Sequence, residues 1–146
     1  MTTDPNLVRN ISCFRDLSKD QIKNIAQIAN AVCYPPNKVL FREGESGRNL
    51  YFLVKGKIEV LYNIGEDGQV HVDTISEEEF FGCSALLEPY TYTATMRSLS
   101  EIEVIAVDAS ALRKLMQKDY QLGFILQKQI IKLLIRRVMD FRLESK

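Results

Sequence analysis

Glu79-Phe80-Phe81-Gly82-Cys83-Ser84-Ala85-Leu86-Leu87, followed after a short gap by Tyr92-Thr93-Ala94-Thr95, is the stretch around which this chain is organised. Two aromatics run into a glycine and then into small residues, the pattern of a strand that stops abruptly and turns into a short helix. Backbone N–H groups at such a turn point outward together and make a cradle for an anion. Thr93-Ala94-Thr95 has the alternation of a strand returning past that cradle.

On either side of this centre, from about residue 31 to 107, apolar residues recur with a period of two and turn signals follow every eight to twelve residues or so, the pattern of a sandwich or roll. Pro35-Pro36-Asn37 breaks the chain before Val39-Leu40-Phe41, and Arg42 to Gly47 is a loop. Leu50 to Val54 reads as a buried strand, Lys55-Gly56 as a tight turn, and Lys57 to Tyr62 as a strand with Ile58, Val60 and Tyr62 on one face. Glu66-Asp67-Gly68-Gln69 carries an Asp-Gly hairpin signal, with Gly68 expected at positive φ, and Gln69 to Ile75 returns. Glu101 to Val107 is the last strand.

Helices flank this region. Ser18 with Gln21 three residues on is a capping box, Leu17 and Ile22 stand at the staple positions, and Ile22, Ile25, Ala26 and Ala29 share a face, so a helix is predicted over about 17–30. Asp108 caps a short helix over about 108–118 that turns Leu112, Leu115 and Met116 inward, with Val107 and Leu112 as its staple. A longer helix is predicted over about 119–142. Its apolar residues from Leu122 to Val138 sweep roughly 220° of the circumference, against about 100° for a helix packed on one side. Such a helix needs two apolar neighbours. The roll supplies one, and the same helix of a second copy is the economical choice for the other; the N-terminal helix or another protein are the remaining candidates.

The central stretch resembles the phosphate-binding cassette of the cyclic-nucleotide-binding domain of the CRP/FNR (catabolite activator) family and of kinase regulatory subunits. That cassette runs Phe-Gly-Glu-(Leu/Ile)-(Ala/Ser)-Leu and then, after a gap, Arg-(Ser/Thr)-Ala. Phe81, Gly82, Ala85, Leu86, Thr93 and Ala94 match it. Glu43-Gly44 and the Tyr51 to Ile58 segment match glycine positions earlier in the family pattern, so the resemblance extends from about Leu17 to Met116. It implies a single domain over 1–146, mainly β with flanking helices: a double-stranded β-helix, or jelly-roll-like β-roll, plus a long C-terminal helix that dimerises and closes over the ligand. It also implies a ligand site at Phe81, Gly82, Cys83, Ser84, Ala85, Tyr92, Thr93 and Ala94.

The cassette departs from the family at two places. Cys83 stands where the family glutamate binds the ribose, and Tyr92 stands where the family arginine pairs with the cyclic phosphate. A hydrogen bond to a charged group contributes about 1.5–3 kcal/mol, and about 1.4 kcal/mol is tenfold in affinity. Losing both partners therefore weakens a cyclic nucleotide by something like a hundredfold or more. Three readings remain: a changed or weakly bound ligand, whether a weakly charged or neutral molecule, a cyclic nucleotide or another small anion, for which the cradle amides, the Thr93 hydroxyl and the phenols of Tyr90 and Tyr92 are available; a pocket that Tyr92 fills with its own ring; or ordinary cyclic nucleotide binding. Cys83, just past a glycine at a helix start, is either a redox- or electrophile-sensing thiol or a small, inert buried one.

The remaining inventory excludes other classes. At 146 residues, 46% hydrophobic and 26% charged, the chain can bury a core without staples. Nineteen basic residues balance nineteen acidic ones, so no overall field draws it to nucleic acid or to an anionic membrane. Cys13, Cys33 and Cys83 are scattered, which argues against a disulfide framework or a zinc site and for a reducing cytoplasm. Met1 to Pro5 lacks the features of a signal peptide, which also leads us to expect a cytoplasmic protein. The single histidine, His71, reads as half of a solvent-facing pair with Asp73 and has no metal-ligating neighbours. Gly82 to Leu86 lacks the closing glycine of a nucleophile elbow, no lysine-bearing phosphate loop is present, and Glu77-Glu78-Glu79 reads as a solvated turn. No enzyme, cofactor or metal is expected. The basic residues from Arg113 onward, Arg136 and Arg137 among them, are assigned to helix ends and solvent. With no recognition helix after the long one, the expected function is a regulatory, ligand-sensing homodimer that binds no nucleic acid by itself. A ligand-free dimeric interaction module and a truncated CRP/FNR-type transcription regulator are the alternatives.

Overall fold

The computed structural model describes residues 4–66 and 68–144, with side chains for all of these but Ser12 and 141–144. In chain order the elements are α1 (Pro5–Arg9), a 3-10 turn (Ser12–Phe14), α2 (Lys19–Ala26), β1 (Ala29–Tyr34), β2 (Val39–Phe41), β3 (Asn49–Lys55), β4 (Ile58–Ile64), β5 (Gly68–Ile75), β6 (Phe80–Phe81), a second 3-10 turn (Cys83–Leu86), β7 (Thr95–Ser98), β8 (Ile102–Asp108), α3 (Ala109–Lys118) and α4 (Tyr120–Glu144). The strands form two antiparallel sheets, β1-β8-β3-β6 and β2-β7-β4-β5. This is the expected jelly-roll-like β-roll with flanking helices and a long C-terminal helix.

The period of two in the sequence becomes two cores. Along β3, Leu50 and Phe52 face the helices, while Tyr51 and Leu53 face the interior of the roll. Along β8, Ile105 and Val107 face the helices and Ile102 and Val104 the interior. In β6 Phe80 joins the helix-side core and Phe81 the roll interior, so the short strand before Gly82 is anchored on both faces. A strand buried on both sides must be apolar at successive positions, which explains the unbroken Leu50-Tyr51-Phe52-Leu53 run. In the other sheet Glu59 is buried too, where its carboxylate pairs with Arg97 across the β4–β7 ladder at 2.8 Å.

The caps form as the sequence predicts. Ser18 Oγ accepts the Gln21 N–H and Gln21 Oε1 accepts the Ser18 N–H, at 3.1 and 2.8 Å. Asp108 Oδ1 accepts the Ala111 N–H at the start of α3. Asp119 accepts the Leu122 N–H and a hydrogen from the Gln21 side chain, so the corner between α3 and α4 is tied to α2. Those bonds, the Leu122 N–H first, hold its carboxyl below the usual range.

Two expectations need correction, and a third is met. The helix of 17–30 stops at Ala26, and Ala29 and Asn30 already pair with β8. Ala29 is buried, but as a strand residue; the i+3 step from Ala26 continues a helical stripe and a buried strand position equally well. At the β4–β5 corner Gly65, at φ 63°, takes the positive φ, whereas Gly68 lies in β5. Asp67, which completes the expected Asp-Gly turn, lies outside the described residues. The wide apolar arc of α4 is covered on one face only: Leu122, Leu126, Ile130 and Leu133 are buried against the body, and Phe124, Ile131, Ile135, Val138 and Met139 are exposed.

Candidate functional site

β6 ends at Gly82, whose φ of 74° is left-handed. A Cβ there would also lie 3.2 Å from the Tyr92 ring and 3.3 Å from the Asn49 carbonyl oxygen, so glycine is required twice over. The chain then enters the 3-10 turn Cys83–Leu86. The N–H groups of Ala85 and Leu87 donate to Gly82 O and Ser84 O. Those of Cys83 and Ser84 meet no backbone acceptor among the described residues. Gly47 allows the 42–47 loop to lie directly on the turn, since a Cβ at that position would sit 2.7 Å from Ala85.

Tyr92 does not reach into the cavity as a free donor. Its ring stacks on Phe41 at 3.6 Å between centroids, in line with the stacked pair Tyr51 and Phe81. Its hydroxyl donates to Asn49 O at 2.7 Å and accepts the Asn49 N–H at 3.1 Å. The backbone is fixed as well: Gly44 donates to Tyr92 O and Tyr92 to Glu45 O. Tyr92 is 4% exposed, and burial pushes its phenol up to about 12 against the opposing pull of its bonds to β3. The expectation of a Tyr92 phenol available to a ligand is therefore corrected, because that hydroxyl serves β3. Thr93 and Ala94 lie in a bend before β7, which starts only at Thr95; Thr93 is exposed and Ala94 buried.

The other predicted residues come together at one wall. Gly82, Cys83, Ser84, Tyr92, Thr93 and Ala94 border a cavity of about 1580 Å³ between the mouth of the roll and α4, while Phe81 and Ala85 are buried behind it. Its volume exceeds the roughly 300–1,000 Å³ of an ordinary small-molecule pocket. The far wall is α4, through Ile130, Ile131, Leu134 and Arg137. His71 and Asp73 are exposed and edge the cavity from β5; the ring Nε2 lies 3.3 Å from Thr74 Oγ1. Burial pushes the Cys83 thiol up to about 11 despite the opposing charge of Arg137. At neutral pH it is a protonated, half-buried thiol.

Three side chains that meet the cassette or the strand before it escape a sequence reading. Arg113 of α3 donates to Ala85 O at 2.7 Å while its guanidinium covers the Tyr90 ring at 4.0 Å. Arg137 of α4 donates to Phe80 O at 2.7 Å. Glu79 is no solvated turn residue: Oε2 lies 3.5 Å from Arg136 and 3.8 Å from Arg137, and Oε1 accepts the Ser76 N–H. Arg113 and Arg137 thus leave the solvent role assigned to them: Arg113 ties the turn to α3, and Arg137 ties β6 to α4 at the edge of the cavity. Among the described residues no group of three His, Cys, Asp or Glu is placed to hold a metal, and no helix is long and apolar enough to cross a membrane.

A strand ending at a left-handed glycine, a short turn with outward amides and a return past Tyr92, all inside a β-roll, define a class. The family model of the cyclic nucleotide-binding domain matches residues 31–119, more than half of the chain, and the chain belongs to that family. Among solved structures, a protein from Geobacter metallireducens GS-15 named for cyclic nucleotide binding superposes with a TM-score of 0.83 at 27% identity, over 92% of this chain and 98% of that one. The cGMP-dependent protein kinase egl-4 of Caenorhabditis elegans is 28% identical over 79% of this chain and 16% of its own length. The CRP-like cAMP-activated global transcriptional regulator of Mycobacterium tuberculosis is 24% identical over 86% of this chain and 54% of its own length. The chain thus spans about a sixth of the kinase and about half of the regulator.

Proposed function

We propose that the chain is a non-catalytic regulatory module whose cavity beside Gly82 to Ser84 senses a small ligand, and that it binds cyclic nucleotides only weakly. Tyr92 carries this reading. The position from which the family arginine reaches the phosphate holds a neutral ring stacked on Phe41, with its hydroxyl committed to Asn49. Cys83, a neutral thiol, replaces the acceptor for the ribose. The Cys83 and Ser84 amides, which no backbone carbonyl takes up among the described residues, and the open volume beside them support a site that is altered rather than filled. Phe81, Gly82, Cys83, Ser84, Ala85, Tyr92, Thr93 and Ala94 form or back this site. Calorimetric titration with cAMP and cGMP is expected to give dissociation constants about a hundredfold or more weaker than a complete cassette would. Submicromolar binding of either would overturn the reading.

The module acts as a homodimer through α4, in the cytoplasm and without nucleic acid or membrane as a partner of its own. The support is the outer stripe of α4, where Ile131, Ile135, Val138 and Met139 are each more than half exposed, an unusual density of large apolar side chains in water. Light scattering at micromolar concentration should give twice the monomer mass. A monomer would remove the dimer while leaving the ligand site standing.

A further inference from the structure

Resting on the reading that the cavity takes a small ligand, we propose that Arg137 of α4 is the cation that receives the ligand's negative charge, in place of the arginine missing at Tyr92. The ligand is then an anion on an apolar body, and Glu79 is the internal carboxylate with which it competes. Four observations converge on this. Arg137 borders the same cavity as Cys83 and Ser84, and its charge is felt at the Cys83 thiol. Only Nη2 is well engaged, on Phe80 O at 2.7 Å. Nε is buried with no hydrogen-bond acceptor, since Glu79 Oε2 at 3.8 Å is too far. A buried, unmet donor is destabilising, a deficit that an arriving oxyanion removes.

Glu79 is a poor permanent partner. One of its oxygens is held by the Ser76 N–H, and the other lies at long range between two guanidinium groups, Arg136 at 3.5 Å and Arg137 at 3.8 Å. Two cations facing one carboxylate leave a local excess of positive charge beside Glu79, while Asp73, Glu77 and Asp140 border the cavity elsewhere, and the helix wall nearby offers the apolar side chains Ile130, Ile131, Leu134 and Val138. Charge at one end and hydrocarbon along the side fit an amphipathic anion.

The test titrates the whole chain with hexyl phosphate, a phosphate on an apolar body with no nucleoside, and with cAMP, following heat and the arginine Nε–H resonances. Hexyl phosphate should bind and shift the Arg137 Nε–H. Arg137→Gln should weaken it about tenfold or more. Glu79→Gln, which removes the competing charge, should tighten it severalfold, a gain that a merely destabilised variant cannot produce. If a probe binds equally to the wild type and to Arg137→Gln, the role of Arg137 is refuted while the sensing site stands. Submicromolar cAMP binding that is insensitive to Arg137→Gln refutes both the weak-cassette reading and this inference. Failure of both probes to bind at about 10 mM refutes the inference together with the sensing site.

Discussion

The core between the β1-β8-β3-β6 sheet and the helices consists of Leu, Ile, Val, Ala and Phe alone, whereas the core inside the roll carries Tyr51, Tyr92 and Met96 and ends at a cavity. The same strands build both, one residue to each side in turn. The helix-side core is closed except at its margin, where Ile130, Leu86 and Met116 reach the cavity. The interior core is half closed: its stacked rings support the cassette from one side and leave the other to whatever enters. Packing and the proposed site are therefore weighted toward opposite faces of one sheet, and the change at Tyr92 falls on the roll side.

That separation can be broken by measurement. Leu126→Ala, which empties a fully buried site in the helix-side core, should cost about 2–5 kcal/mol in urea denaturation; a loss well under 1 kcal/mol would show that α4 is not held by this core. Tyr92→Phe keeps the ring stack and removes the hydroxyl from Asn49, which leaves a backbone N–H and C=O unmet. We expect a loss of about 1–3 kcal/mol, smaller than that of Leu126→Ala, and no improvement in cAMP binding, because no charge has been restored. A variant as stable as the wild type would mean that water replaces the hydroxyl and that Tyr92 is not fixed.

The smallest effect sharpens the comparison at Cys83. With its thiol raised from 9.0 to about 11, it carries about a hundredfold less thiolate than an unperturbed cysteine at pH 8. Iodoacetamide should therefore modify the exposed Cys33 far sooner than Cys83, read by peptide mass. The sign of the linkage follows. The unfolded thiol ionises near 9 and the folded one near 11, so this group's contribution to stability is complete below pH 9 and is lost as the pH climbs to 11. Rapid labelling of Cys83 at pH 8 would restore the redox reading.

Much of this architecture is legible in the sequence because it is local. Phe81-Gly82 before small residues marks the end of β6, Ser18 and Gln21 mark the start of α2, and the wide arc of α4 announces an uncovered face, each within a few residues. The parts that stay hidden are contacts across long separations that leave no periodic trace. The Tyr92 hydroxyl meets Asn49, and Arg137 meets Phe80 O, through side-chain to backbone bonds spanning 43 and 57 residues. An arginine at a helix position reads as solvent-facing until a carbonyl is known to lie opposite. Glu79 hides for a similar reason: among three consecutive acids, only the fold shows which one turns toward two cations. The end of α2 at Ala26 is missed because a helical stripe and a buried strand residue ask for the same kind of side chain at position 29.

The bond from Arg113 to the Ala85 carbonyl makes a rivet between the turn at the cavity and α3. Because α3 runs into α4 with only Asp119 between them, any lift of that turn must either break the rivet or drag the root of the long helix with it. The root and the outer half of α4 are thus pinned to opposite ends of the Phe80 to Ala85 segment, Ala85 through Arg113 and Phe80 through Arg137, so the helix and the turn close a loop of bonds that a tilt of either would strain.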